Sequence, residues 1–146
     1  MNSEEFAPQS VLIIGCGDIG RRVAARWQDV PVTGLVSSAA SAEQLQAAGL
    51  TPLRANLDDP ASLKDLPLKD ALVFYFAPPP ATGTTDPRMQ HFLAAIDPAR
   101  LPGRIVYIST SGVYGDRGGE TVTEDTPPNP QVDRARRRYD AEQQLR

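Results

Sequence analysis

The chain has 146 residues, 40% of them hydrophobic and 23% charged, the size and balance of one folded domain rather than a disordered segment. A net charge of -3 offers no global attraction to nucleic acid or to an anionic membrane. One cysteine (Cys16) and one histidine (His91) leave no disulfide framework and no His/Cys metal set, and no apolar run nears the ~18 residues of a membrane helix.

The first ten residues, MNSEEFAPQS, are acidic and polar, without the basic and apolar regions of a secretory signal, so a cytoplasmic protein is expected. The basic residues are 13 arginines and two lysines, Lys64 and Lys69, so no lysine amine serves chemistry beyond residue 69. Residues 10–14, Ser-Val-Leu-Ile-Ile, predict a strand buried on both faces of a parallel sheet. Gly15-Cys16-Gly17-Asp18-Ile19-Gly20 follows, and Ile19, Val23, Ala24 and Trp27 then recur at helical spacing with arginines on the other face. Val32–Val36 reads as a second strand, and Ser41 as the cap of a helix over Ala42–Ala48 that Gly49 ends. Leu50–Leu53 is a third strand, placed at an edge by Pro52, and Pro60–Leu66 a short helical turn. Ala71–Ala77 is an apolar fourth strand, and Pro87–Ile96 a helix with Asp86 as its cap. Arg104–Ile108 is a fifth strand, residues 115–133 a long polar loop, and Arg134–Leu145 a final amphipathic helix. Alternation of this kind predicts an α/β fold of Rossmann type, a doubly wound parallel sheet ordered 3-2-1-4-5. Its ligand crevice would open between the first and fourth strands, where the order reverses.

Gly15-x-Gly17-x-x-Gly20 stands between a predicted strand and a predicted helix, the context a dinucleotide fingerprint requires. Gly15 would permit the tight turn, Gly17 the approach of a pyrophosphate, and Gly20 close packing of helix on strand. The amides of Asp18, Ile19 and Gly20 would face the phosphates at the positive helix end. The bland alternative is a glycine turn without a ligand. Where a carboxylate would bind the ribose hydroxyls of NAD, the chain has Ser37 and Ser38. That lifts repulsion against a 2′-phosphate and favours NADP over NAD, with Arg21 or Arg22 either reaching that phosphate or only solvating a helix face.

On four segments in order, VLIIGCGDIG, NLDDPASL, FYFAPPP and YISTSGVYGD, the chain resembles the short-chain dehydrogenase/reductase superfamily, in its extended and atypical NAD(P)-dependent epimerase/dehydratase branch. The resemblance implies that Asn56 and Leu57 contact the adenine, with Asn56 where the family more often has Asp, and that Ala77 and Pro78 line the ribose. It puts Thr110 at the catalytic Ser/Thr position, with Ser111 the neighbouring alternative, where a hydroxyl would bond the substrate oxygen during hydride transfer. The plainer reading is that Ser109, Thr110 and Ser111 satisfy backbone groups at a strand end, and Tyr114 reads as packing. The family's Tyr-x-x-x-Lys acid/base pair occurs in no register, and its positions fall on Arg134 and Arg138. Arginine stays protonated and is a poor proton shuttle. Family members also carry a sixth strand and a C-terminal substrate region, absent here. Residues 1–146 therefore read as one NAD(P)-binding Rossmann domain, whether alone or as part of a longer protein.

The leading expectation is an NAD(P)-dependent oxidoreductase or epimerase acting on a small molecule of unassigned identity. The rival is a non-catalytic dinucleotide sensor or binding module. Nucleic-acid binding through RARRR at 134–138 is disfavoured, because acidic neighbours and the lack of an aromatic platform make a solvated helix face the simpler reading. Neither a metal nor a membrane partner is expected, and a homo-oligomer is compatible with the sequence.

Overall fold

The computed structural model describes residues 7–15, 17–27, 29–108, 123 and 125–146. Five parallel strands, β1 (Ser10–Ile14), β2 (Val32–Val36), β3 (Thr51–Arg54), β4 (Ala71–Tyr75) and β5 (Arg104–Tyr107), are ordered β3-β2-β1-β4-β5. Four helices accompany them: α1 (Asp18–Ala24), α2 (Ala39–Ala47), α3 (Pro87–Ala94) and α4 (Asp133–Gln144), with a 3-10 turn at Pro60–Leu63. The doubly wound order expected from the alternation is the order observed. No described helix is long and apolar enough to cross a membrane.

β1 is central because both of its faces are apolar. Leu12 and Ile14 join one core with Val73, Tyr75, Met89 and Phe92, while Val11 and Ile13 join the other with Val32, Leu72 and Ala24. In register, Val11–Ile14 pair with Val32–Leu35 on one side and Leu72–Tyr75 on the other, so the ends of β1, β2 and β4 finish level. That alignment fixes where the loops after these strands converge. β3 forms one edge, where Pro52 removes no ladder bond the fold needs, and β5 forms the other edge of the described sheet.

α2 starts earlier than expected. Ser38 is the cap: its backbone is extended and its hydroxyl oxygen accepts the Ser41 amide at 3.1 Å, so the helix begins at Ala39. Ser41 is thereby freed from capping. α4 departs from expectation more deeply. Its inward face carries Ala135 and Ala141 with the guanidinium of Arg137, which is buried and donates to the Gly83 carbonyl at 2.8 Å. Asp140 accepts from the Asp86 amide at 2.8 Å, and Gln144 donates to the Asp86 carbonyl at 3.0 Å. This helix is tied to the loop before α3 by polar bonds, and RARRR is only partly a solvated face.

Asp86 itself is wholly buried and caps α3, accepting the Met89 amide at 3.0 Å through Oδ1. Its Oδ2 meets no partner among the described residues. Burial pushes this carboxyl above its ordinary value of 3.8; the cap bonds pull it down, and the Asp140 charge adds to the rise. The folded state therefore holds the Asp86 proton more tightly than the unfolded chain does. The resulting stabilisation is complete below the unfolded pKa and is lost as pH rises through the folded one. Asp86→Asn keeps the cap acceptor and removes the charge, so thermal melts between pH 4 and 8 should show a flatter profile than wild type. Asp86→Ala should lose about 0.5–2 kcal/mol, the usual value of a cap. A wild-type profile in the Asn variant would show that the buried carboxyl does not set this dependence.

Candidate functional site

At the strand ends, a cavity of about 510 Å³ opens between the loops after β1, β2, β3 and β4. Gly15 and Gly17 form one wall, Leu35, Val36, Ser37 and Ser41 another, and the segment Ala55–Asp58 a third, with Ala77 and Arg88 closing the side nearest β4. This is the crevice at the reversal of strand order, where open α/β sheets bind ligands.

The two glycines serve different purposes. Gly15 has φ +82°, and a Cβ built there would lie 2.7 Å from the Ala77 nitrogen and 2.8 Å from its Cα. The chain itself requires glycine there, because the turn after β1 lies directly against the end of β4. Gly17 has φ -94°, caps α1, and a Cβ built on it meets nothing within 4 Å. Packing of the described residues therefore gives no reason for glycine at 17. A bare backbone facing an open cavity gives one, since it lets a ligand approach the main chain.

The third wall is a tight turn. Asn56 Oδ1 accepts the Asp58 amide at 2.9 Å, the Asn56 carbonyl accepts the Asp59 amide at 2.9 Å, and Ser62 Oγ accepts the Asn56 amide at 2.9 Å. His91 Nδ1 donates to the Leu57 carbonyl at 2.5 Å, tying this turn to α3. Arg88, in the first turn of α3, grips Asp58 with two bonds, Nε to Oδ1 at 2.8 Å and Nη2 to Oδ2 at 3.1 Å. Its Nη1 donates to the Pro78 carbonyl at 3.1 Å. The arginine hydrogen bond holds the Asp58 carboxyl below its ordinary range, and the same bond raises Arg88.

Of the residues singled out in the sequence for the cofactor, Gly15, Gly17, Ser37, Asn56, Leu57 and Ala77 line the cavity together. Asp18 and Ile19 open α1, and Gly20 is buried in its first turn. Pro78 is exposed beyond the lining and contributes its carbonyl to Arg88. Thr110, Ser111 and Tyr114 lie outside the described residues. Neither Arg21 nor Arg22 lines the cavity; the lining cation is Arg88. Asp58 and Arg88 were not singled out in the sequence, and Ser41 was expected only as a helix cap. The signal for Arg88 was available: in a parallel sheet each crossover helix starts at the ligand end of the strands, so its first turn supplies candidates.

Tyr75 and Tyr107 lie at the ends of β4 and β5, with ring centroids 5.8 Å apart. Burial pushes both hydroxyls upward, Tyr75 strongly, and the Asp86 charge adds to it in each. Both stay protonated at neutral pH, as an unperturbed phenol does, and burial makes loss of the proton harder still. Arg138 reaches the end of β5, where its Nη1 donates to the Ile108 carbonyl at 2.9 Å, while Arg134 is exposed.

No protein-family model and no curated protein matches the chain. Solved structures do. A conserved protein of unknown function from Silicibacter pomeroyi is 28% identical with a TM-score of 0.74, over 94% of this chain and 47% of that one. A protein from Methylobacillus flagellatus, provisionally assigned as an NAD-dependent epimerase/dehydratase, is 26% identical with a TM-score of 0.74, over 95% and 50%. The fold is that of the short-chain dehydrogenase/reductase superfamily, epimerase/dehydratase branch. A superfamily member from Agrobacterium tumefaciens with bound NAD shares it at 21% identity and a TM-score of 0.72, over 93% and 44%. The chain spans about half the length of these structures and corresponds to their N-terminal part.

Proposed function

We propose that this chain is the dinucleotide-binding part of an NAD(P)-dependent oxidoreductase or epimerase that favours NADP. The observation that carries the proposal is the cavity that joins Gly15 and Gly17 to Ser37, Asn56, Leu57 and Ala77 at the reversal of strand order. The open space at Gly17 fits a diphosphate against bare backbone. When bound, the nicotinamide supplies hydride acceptance and donation. The chain's own residues bind and orient. The Gly15–Gly17 turn receives the diphosphate, Asn56 and Leu57 the adenine, and Ala77 with Pro78 the adjoining ribose. Thr110, with Ser111 beside it, is proposed to hydrogen-bond the substrate oxygen and hold its proton during transfer.

The preference for NADP rests on charge. The wall after β2 offers two hydroxyls, Ser37 and Ser41, and no carboxylate. The Ser41 oxygen accepts from Ser38 Oγ at 3.0 Å, which leaves its own proton for a ligand. Asp58 also lines the cavity, but Arg88 neutralises it. Calorimetric titration with NADPH and NADH should give tighter binding of NADPH, and Ser37→Asp should reverse the order by restoring ribose bonds and repelling the 2′-phosphate. A wild-type protein that binds NADH several-fold more tightly would overturn the preference.

A second reading is a non-catalytic dinucleotide sensor. It is favoured by α4, where the resemblance puts the family's tyrosine and lysine positions on Arg134 and Arg138, and where Arg138 is tied to a main-chain carbonyl. Turnover of any member of a carbonyl panel would select the enzyme, and tight binding without turnover the sensor.

A further inference from the structure

Two charged side chains line the cavity among the described residues, Asp58 and Arg88, and they are paired with each other. The geometry of that pair limits what it can do for a ligand. Each guanidinium nitrogen of Arg88 already holds a protein oxygen, two on Asp58 and one on Pro78. These bonds come from two segments, the turn after β3 and the loop after β4, so the plane is fixed from two directions. A two-pronged carboxylate pair is nearly neutral as a unit, which leaves little net pull on a phosphate. What such an arginine can offer the cavity it lines is a flat, polarizable and pre-ordered surface, the feature that distinguishes arginine from lysine. Its anchors matter as well. Asp58 directly follows Leu57 and Pro78 directly follows Ala77, so the plane spans the two lining segments. The neighbouring lining residues Leu35, Val36, Ala55 and Leu57 are apolar, which suits a ring and not an anion.

We propose that Arg88 is a stacking platform for the adenine ring, held flat by Asp58 and the Pro78 carbonyl, and that it meets the base rather than a phosphate. The proposal deepens the dinucleotide reading above and depends on it. Because the side chain is already ordered by three bonds, stacking on it requires little further loss of side-chain freedom. Arg88 is therefore a binding residue that holds the base by its face.

The test is calorimetric binding of ADP-ribose and of nicotinamide mononucleotide, which lacks the adenine, to wild type, Arg88→Leu, Arg88→Lys and Arg88→Trp. ADP-ribose affinity should fall about tenfold in both Leu and Lys, because lysine keeps the charge and loses the plane, and should be largely restored by Trp. Affinity for the mononucleotide should stay level throughout. Melting temperatures check folding, which the half-exposed Asp58–Arg88 pair affects little. If Lys binds ADP-ribose as well as Arg does, the residue is a charge contact and the platform is wrong. If Leu equals wild type, Arg88 does not touch the ligand. Failure of the wild type to bind ADP-ribose at all would instead remove the dinucleotide reading itself.

Discussion

Gly17→Val should weaken dinucleotide binding by one to two orders of magnitude while the protein still folds and melts cooperatively near the wild-type temperature. The expectation comes from the contrast between what surrounds Gly17 and what its cavity is for. A Cβ at 17 meets no atom within 4 Å, and φ is negative, so the apo chain can accommodate a side chain. The same atoms would then project from the wall where the diphosphate must approach the main chain. Forcing a ligand past an inserted side chain costs about 1–3 kcal/mol in packing, and each ~1.4 kcal/mol is tenfold in affinity, so a loss of roughly 5–150-fold is expected. Gly17→Ala should fall between wild type and Val. NADPH titration by calorimetry, beside a thermal melt of each variant, measures both halves of the claim. Unchanged affinity in Gly17→Val would mean that no diphosphate lies against this turn.

The strand order, the crevice and its glycine wall were legible because they follow from patterns that few alternatives satisfy, while Asn56, Leu57 and Ala77 came from the family resemblance. A five-residue apolar run between polar loops has one place in a parallel sheet, and a glycine turn after it has one use that suits the crossover. What stayed hidden depends on side chains choosing between equivalent partners. Ser37, Ser38 and Ser41 are each chemically able to cap α2, and only the backbone path decides that Ser38 does so and that Ser41 faces the cavity. RARRR carries no label saying which arginine turns inward. Arg137 does, because the Gly83 carbonyl on the loop after β4 accepts its Nη1, a contact 54 residues away in sequence. Arg88 was missed for a related reason. Its partner Asp58 is 30 residues upstream, and the pairing that places it at the cavity exists only once α3 is docked.

Gly15→Ala should do the opposite of the change at Gly17: it should damage the fold first and binding as a consequence. The residue sits at φ +82°, where a side chain costs about 1–2 kcal/mol by itself. The added Cβ would also stand 2.7 Å from the Ala77 nitrogen and 3.1 Å from the Phe76 carbonyl carbon, both main-chain atoms of the segment leaving β4. Main chain cannot rotate away as a flexible side chain can, so overpacking adds about 1–3 kcal/mol. Together ~2–5 kcal/mol is a large share of the stability of a domain this size, and the melting temperature should fall by ~10 °C or more. The strain falls where the turn after β1 meets the segment leaving β4, and Ala77 lines the cavity, so its displacement should weaken NADPH binding as well. The two variants then separate the requirements. Gly17→Val loses ligand at constant stability, and Gly15→Ala loses stability with the ligand site dragged along. A Gly15→Ala protein that melts at the wild-type temperature would show that the turn and the end of β4 are not in the close contact described. The crevice would then need another explanation for its shape.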